Sequence, residues 1–428
     1  MFPARILASR TFVVGGRAFG NVSSFSSLTM PACSDDDGAF AGEHHSPITA
    51  LLWKTRSEAK LLEEEKGNDA ELSTPEPISK APSESRVTVQ YAFKSDPNTA
   101  DQYKNAWGYI RKGRVLEDLD ALAGNVAFHH CKDDNPNTFF PNLVTASVDN
   151  MRVLSRITMD ADVDLVGSVA WTGNSSMVIN LLLTNQETGT NLIDANFTFV
   201  ARHPTTGKAM KINKIEPQTE AEKSLYSKFE ELDQQRRYTR SLPVDEKKES
   251  ERKEKIERLT AEGRVLRDMP GLAPGDLVPM FRTRTENSSM MHPQHRNMSN
   301  KIFGGLLMRR AFEAAFDTCY TFGGSRPHFL ELERVAFKRP VDIGNLVKFV
   351  SHVTYTTNHP KAMVHVEVEA YVVNPEKRTT LLSNVFNFTF ALNLHLEEAN
   401  ATVKHVLPQS RTEADMFLRG EEYVADNR

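Results

Sequence analysis

The chain has 428 residues, 39% hydrophobic and 25% charged, a balance that excludes a disordered polymer, a fibrous repeat and a disulfide-stapled mini-protein. Its formal net charge of −4 supplies no global basic field for nucleic acid or anionic lipid, so any anionic ligand must meet a local patch. Three widely spaced cysteines, Cys33, Cys131 and Cys319, offer neither a disulfide framework nor a CxxC zinc site and suit packed thiols in a reducing compartment.

Residues 1–34 contain no Asp, Glu or Lys. Arg5, Arg10 and Arg17 are spread among Phe2, Ile6, Leu7, Phe12, Val13 and Val14, ahead of the serine-rich NVSSFSSLT. That is the composition of a mitochondrial transit peptide. Residues 35–85 are polar and proline-punctuated, which predicts a disordered or polar linker outside the core. No uncharged apolar run approaches the roughly 20 residues that cross a bilayer.

Two stretches, 86–215 and 276–395, share one plan. In the first, NAWGYIRKGRVLEDLDALAGNVAF (105–128) carries a glycine into a helical run, followed by the strand-like LVTASVDNM, LVGSVAWTGNSSMVINLLL and LIDANFTFVAR. In the second, NMSNKIFGGLLMRRAFEAAFDTCY (297–320) precedes FLELERVAF, LVKFVSHVTYT, AMVHVEVEAYVV and LLSNVFNFTFAL. Within the last two, Val364, Val366, Val368 and Ala370 oppose His365, Glu367 and Glu369, and Phe386, Phe388 and Phe390 share a face. Period-2 runs of this kind predict antiparallel strands half-buried against a helix, so the fold class is α+β, a sheet wrapped around a central helix and duplicated. Between the copies, residues 216–275 are dense in Glu, Lys and Arg and predict a solvated helical connector laced with i,i+4 pairs. Residues 396–428 are expected to form a C-terminal tail.

The stretch His295-Arg296-Asn297-Met298-Ser299-Asn300-Lys301-Ile302-Phe303-Gly304-Gly305 resembles the N-x-x-G-x-x-F-G-G signature of hotdog-fold acyl-CoA thioesterases. Asn300 stands for the middle glycine, a mild change because Asn tolerates left-handed backbone. The duplication, connector and leader together resemble the mitochondrial double-hotdog members of that family. The resemblance implies a tandem hotdog fold and hydrolysis of acyl-CoA to free fatty acid and coenzyme A, with no cofactor or metal. It also places each site between the halves, one supplying an acid and the other an asparagine.

Thioester hydrolysis needs an attacking water, a carboxylate to orient or deprotonate it, and donors where oxyanion charge develops. Glycine at the first turn of a buried helix exposes unpaired amides at the positive end of the helix dipole, as Gly304-Gly305 does and Gly113 does more thinly. The apolar stripe of the first helix is Leu116, Leu119, Ala123 and Ala127. Asp120 lies on that stripe, with Glu117 and Asp118 further from it, so Asp120 is the acid that needs a function.

The family signature puts its acid seven residues after the last glycine, which is Asp120 after Gly113. The same offset from Gly305 is Phe312, and the nearest acid is Glu313, which Arg309 and Arg310 would explain as a helical ion pair. Asn297 lies eight before Gly305, and Asn105 eight before Gly113. By resemblance, Asp120 with Asn297 forms the competent site and Glu313 with Asn105 a weakened second one. In the first, Asp120 is expected to act as general base or nucleophile, Asn297 to position water or the carbonyl, and the Gly305 amide end of the helix to hold the oxyanion. Gly113, Phe303 and Gly304 would contact substrate. Arg114 and Arg296, with Arg111, Lys112 and Lys301, would meet the coenzyme A phosphates.

Other chemistries find less support. His129-His130-Cys131 with Asp133 and Asp134 suits a helix end better than a metal cluster, and HExxH, GxSxG, Walker A and GxGxxG are absent. No His follows an Asp by five positions, which disfavours a hotdog enoyl-CoA hydratase. A non-catalytic acyl-CoA binding or sensing module is the remaining alternative. The expected partners are acyl-CoA and further copies of the chain in a homo-oligomer, with no nucleic acid and no membrane span.

Overall fold

The structure is a computed structural model that describes residues 46, 48–50, 52–53, 73–133, 135, 138–242, 245–272, 274–297, 301–392 and 402–425. The expected leader, with Cys33, and Asn300 of the signature lie outside the described residues.

The first half contains β1 (Val87–Tyr91), α1 (Pro97–Tyr103), α2 (Lys112–Cys131), β2 (Asn142–Val153), β3 (Val163–Thr172), β4 (Ser176–Asn185) and β5 (Asn191–Arg202). Then come α3 (Glu220–Ser241) and α4 (Glu246–Asp268). The second half contains β6 (Thr285–Met290), α5 (Gly304–Gly323), β7 (Pro327–Leu332), β8 (Val335–Ala336), β9 (Leu346–Thr357), β10 (Met363–Asn374) and β11 (Thr379–Leu392), and α6 (Arg411–Ala425) follows.

Ten of the strands run in the order β1-β3-β4-β5-β2-β7-β11-β10-β9-β6, and β8 also pairs with β2. The order is a palindrome of two five-stranded sheets, β1-β3-β4-β5-β2 and β7-β11-β10-β9-β6, joined edge to edge where Leu332 pairs with Met151 and Val335 with Val148. Fusing the edges removes the unpaired donors that two separate sheets would leave there. The inner face carries the expected alternation: Val364, Val366, Val368, Phe386, Phe388 and Phe390 are all buried. This is the tandem hotdog, with α2 and α5 enclosed side by side. Cys131 and Cys319 are buried free thiols, as expected. No helix among the described residues is long and apolar enough to cross a membrane.

Three expectations need correction. Within 35–85, Ile48, Leu52 and Trp53 are buried in the main core, so part of the polar arm docks. Alternating apolar residues announce a strand or long helix, but a single turn with three anchors in a polar segment leaves no periodic signal. The connector is two helices, capped by Thr219 and Asp245, and each docks. Phe229 of α3 packs with Trp171, whose indole N–H donates to Glu230 at 2.5 Å, and Thr260, Gly263 and Leu266 of α4 are buried.

The C-terminal segment is likewise no tail. Helix α6 covers the outer face of β9 and β10, so His365 and Glu367, expected on a polar face, are buried. Glu367 receives Arg419 at 3.0 Å, and His365 stacks on Tyr423 with ring centroids 5.5 Å apart. Gly263 sits where any Cβ would strike the backbone carbonyl of Pro408, ahead of α6. Gly263→Ala is therefore expected to destabilise the protein by about 1–3 kcal/mol through overpacking while leaving turnover of the folded protein unchanged, which thermal melting beside an activity assay would measure.

Candidate active site

Helix α2 has almost no solvent face: the sheet, helix α5 and the docked arm enclose it, and seventeen of its twenty residues are buried. The apolar stripe therefore does not separate the three acids, since Glu117 and Asp118 are as buried as Asp120. Each acid has its own solution to burial. Glu117 accepts from Arg309 of α5 at 2.9 Å. Asp118 accepts five hydrogen bonds, from the Ser46 hydroxyl, the Thr49 amide (3.1 Å) and hydroxyl (3.0 Å), Tyr91 (2.9 Å) and Tyr103 (2.6 Å).

Asp120 faces the other half of the molecule. Its Oδ2 accepts the Gly305 N–H at 2.7 Å, from the first turn of α5, and its Oδ1 accepts the Thr145 hydroxyl of β2 at 3.0 Å. The two helices run antiparallel, so the amide-rich start of α5 lies against the middle of α2. Glycine permits that approach: a Cβ on Gly305 would stand 2.9 Å from the Glu117 carbonyl oxygen and 2.7 Å from the Phe303 ring, and one on Gly304 would stand 3.1 Å from Asp120 Oδ2. The expected role of Gly305 changes accordingly, since its N–H is given to the carboxylate. Thr145 was missed; a threonine in a strand carries no mark that its hydroxyl points at an acid.

Ahead of α5, the described residues on either side of 298–300 are bonded to one another. Arg296 and Ile302 form an antiparallel bridge, Phe303 N–H donates to His295 at 3.1 Å, and Asn297 N–H donates to Lys301 at 2.6 Å. The Asn297 Oδ1 accepts the Lys301 N–H at 3.1 Å, so the side chain helps to join the two sides. Phe303 is the N-cap residue of α5, and Trp53 of the arm packs edge-on against it with centroids 4.9 Å apart. Lys301 pairs with Asp342 at 2.5 Å.

The first half repeats these bonds at an offset of 192 positions, the separation of Glu117 and Arg309. Lys104 bridges Ile110, Arg111 N–H donates to Tyr103, and Asn105 Oδ1 accepts the Tyr109 N–H at 3.0 Å. The bonds are kept while the acid is not: a Cβ on Gly113 would meet Phe312 at 3.4 Å. Glu313 does not replace it. Its carboxylate is held by Arg111 at 2.5 Å, Arg309 at 3.4 Å and Arg310 at 3.7 Å, so it is an ion-pairing residue that ties the halves together rather than a second catalytic acid. Arg111 is thereby engaged away from the phosphate role expected of it. Arg114 remains on the first turn of α2, with its Nε buried and no hydrogen-bond partner. His130 closes the helix end, its Nε2 3.0 Å from the Asn213 carbonyl, and no group of metal-ligating side chains occurs among the described residues.

Burial pushes the Asp118 carboxyl up to about 6, against the hydrogen bonds from Ser46, Tyr103 and Tyr91, which favour its ionised form. Between the unfolded value of 3.8 and about 6 the folded protein holds a proton that the unfolded chain has lost, so this group makes stability fall as pH rises through that window. Asp118→Asn removes the titration. Denaturant melts at pH 4 and pH 7 are expected to show a shallower pH dependence for the variant, and an unchanged dependence would contradict the assignment.

No family model matches the chain. Acyl-coenzyme A thioesterase 2, chloroplastic, of Humulus lupulus is 40% identical over 392 residues, covering 88% of this chain and 88% of that protein. Acyl-coenzyme A thioesterase 4, mitochondrial, of the same plant is 41% identical over 386 residues, with 88% and 73% covered. Acyl-coenzyme A thioesterase 9, mitochondrial, of Mus musculus is 30% identical over 350 residues, with 79% and 77% covered. Among solved structures, an apo hexameric acyl-CoA thioesterase aligns with 39% of this chain and 99% of its own at 28% identity and a TM-score of 0.32. With this identity spread over both halves, the chain belongs to the acyl-coenzyme A thioesterase family.

Proposed function

We propose that the protein hydrolyses acyl-CoA to the free acid and coenzyme A at the junction of its two halves, with Asp120 as the general base. The observation that carries this reading is the 2.7 Å hydrogen bond from Gly305 N–H to Asp120, which seats this acid, replaced by Phe312 at the equivalent position of the other half, at the amide end of the opposite half's helix. In the proposed reaction Asp120 takes a proton from water as the water oxygen bonds to the thioester carbon. The carbonyl electron pair moves to oxygen, where the Gly304 N–H and the Nδ2 hydrogens of Asn297 are the donors proposed to receive it. Collapse breaks the C–S bond, and the proton returns from Asp120 to the departing thiolate.

Two organelles appear in the names of the relatives, mitochondrion and chloroplast. The acid-free, arginine-bearing leader supports the mitochondrial matrix. Import of a fluorescent protein fused behind residues 1–34 tests that. Homo-oligomerisation is part of the same reading, and light scattering on the purified chain measures it.

Asp120→Asn is expected to lower kcat about 10²–10⁴-fold with unchanged melting, measured as thiol release from acyl-CoA. Full turnover in a folded variant would refute the assignment. Gly304→Ala, whose new methyl presses on the carboxylate, is expected to lower kcat roughly 10-fold to 100-fold with the fold intact, as misplacement of a catalytic group does.

A further inference from the structure

The repeat leaves a second crevice at Gly113 and Phe312, and the crevice has not closed. A cavity of about 730 Å³ opens there, bounded by the 104–113 turn, the ends of β2 and β7, and one face of α5. Its size is that of small-molecule and cofactor sites, roughly 300–1,000 Å³. The floor is aromatic: Phe312 lies 5.1 Å from Phe329 and 6.3 Å from Phe316, centroid to centroid.

The rim is cationic and is propped on rings. Arg326 lies over Tyr109 at 4.7 Å and over Trp107 at 5.8 Å, Arg156 lies over Tyr109 at 4.9 Å, and the Lys112 ammonium stands 5.8 Å from the Phe329 ring. These cations are poorly compensated. Burial pushes Lys112 down to about 8, and the Arg326 Nε is buried without a hydrogen-bond partner. Of the two acids on the cavity wall, Glu313 is already held by three arginines, and burial raises the Asp317 carboxyl, favouring its neutral form. A site that keeps cations against aromatic faces, with one of its two acids already paired to arginines, is suited to a ligand with an anionic head and an apolar body.

We propose that this cavity is a second acyl-CoA site that binds its ligand without hydrolysing it, the phosphate-bearing head on Lys112, Arg156 and Arg326 and the acyl chain over Phe312, Phe316 and Phe329. The inference rests on the acyl-CoA reading of the Asp120 site and goes past it. Phe312, at the position of the acid, has no group that accepts a proton from water, so occupancy here stores a ligand or reports its concentration.

The test is equilibrium dialysis of the full chain against an S-alkyl coenzyme A, a thioether that cannot be hydrolysed, beside thiol-release assays. The wild-type chain is expected to bind two equivalents. Trp107→Ala/Arg326→Ala is expected to bind one, with kcat/KM at low substrate within twofold of wild type, which also shows that the variant folds. Arg156→Glu, at an exposed rim position, is expected to weaken the second equivalent at least tenfold, and it serves if the double variant does not fold. One equivalent in an active wild-type chain overturns the second site alone, and two undiminished equivalents in both variants overturn its location. A chain that neither binds the thioether nor releases thiol overturns the acyl-CoA reading as well.

Discussion

Everything at the candidate site depends on how closely α2 and α5 approach each other. They pack antiparallel across the pseudo-twofold axis, each N-terminus against the other's middle, and at the start of α5 the approach is possible because Gly304 and Gly305 present no side chain there. At the axis, the equivalent positions Glu117 and Arg309 form a buried ion pair at 2.9 Å. Such a pair adds little net stability over an apolar one, but removing one partner strands a buried charge at a cost of about 3–5 kcal/mol. It therefore favours this register: sliding either helix would separate Glu117 from Arg309 and strand buried charge.

That register delivers Asp120 to Gly305, and by the same symmetry delivers Phe312 to Gly113. The bonds that frame the two segments are the same, as in Arg111-to-Tyr103 and Phe303-to-His295, and in the bridges Lys104–Ile110 and Arg296–Ile302. The side chains have diverged. One crevice has an acid, a glycine pair and a packed aromatic lid of Phe303 and Trp53; the other has an aromatic floor, an arginine at the N-cap and an open cavity. Two copies of one scaffold can thus be given different tasks without any change of fold.

The sheet and its duplication were legible because they are periodic: two-residue alternation marks strands, and the same order of helix and strands recurs. The seven-residue spacing from Gly113 singles out Asp120, whose catalytic role is the proposal made above. Two features were not legible for a physical reason. Burial on every side of a helix erases amphipathic contrast, so Glu117 and Asp118 looked solvent-facing when each had a partner far along the chain, Arg309 in one case and Ser46 with Thr49 in the other. Short docked pieces such as those carrying Ile48, Leu52 and Trp53, and α6, depend on surfaces that exist only after the sheet has formed, as where Tyr355 meets Phe417 with centroids 5.2 Å apart. Thr145 falls in the same class, because its hydroxyl meets Asp120 only once β2 packs against α2.

The most direct measurement of a shared, hydrolytic junction is a crystal structure of the Asp120→Asn protein with an intact acyl-CoA trapped in it. The thioester carbon is expected to face residue 120 with space for one water between them, and its carbonyl oxygen to lie within hydrogen-bond reach, about 3 Å, of the Gly304 amide or the Asn297 side chain. A thioester bound elsewhere, with its carbonyl out of reach of both halves' donors and of residue 120, would contradict catalysis at this junction.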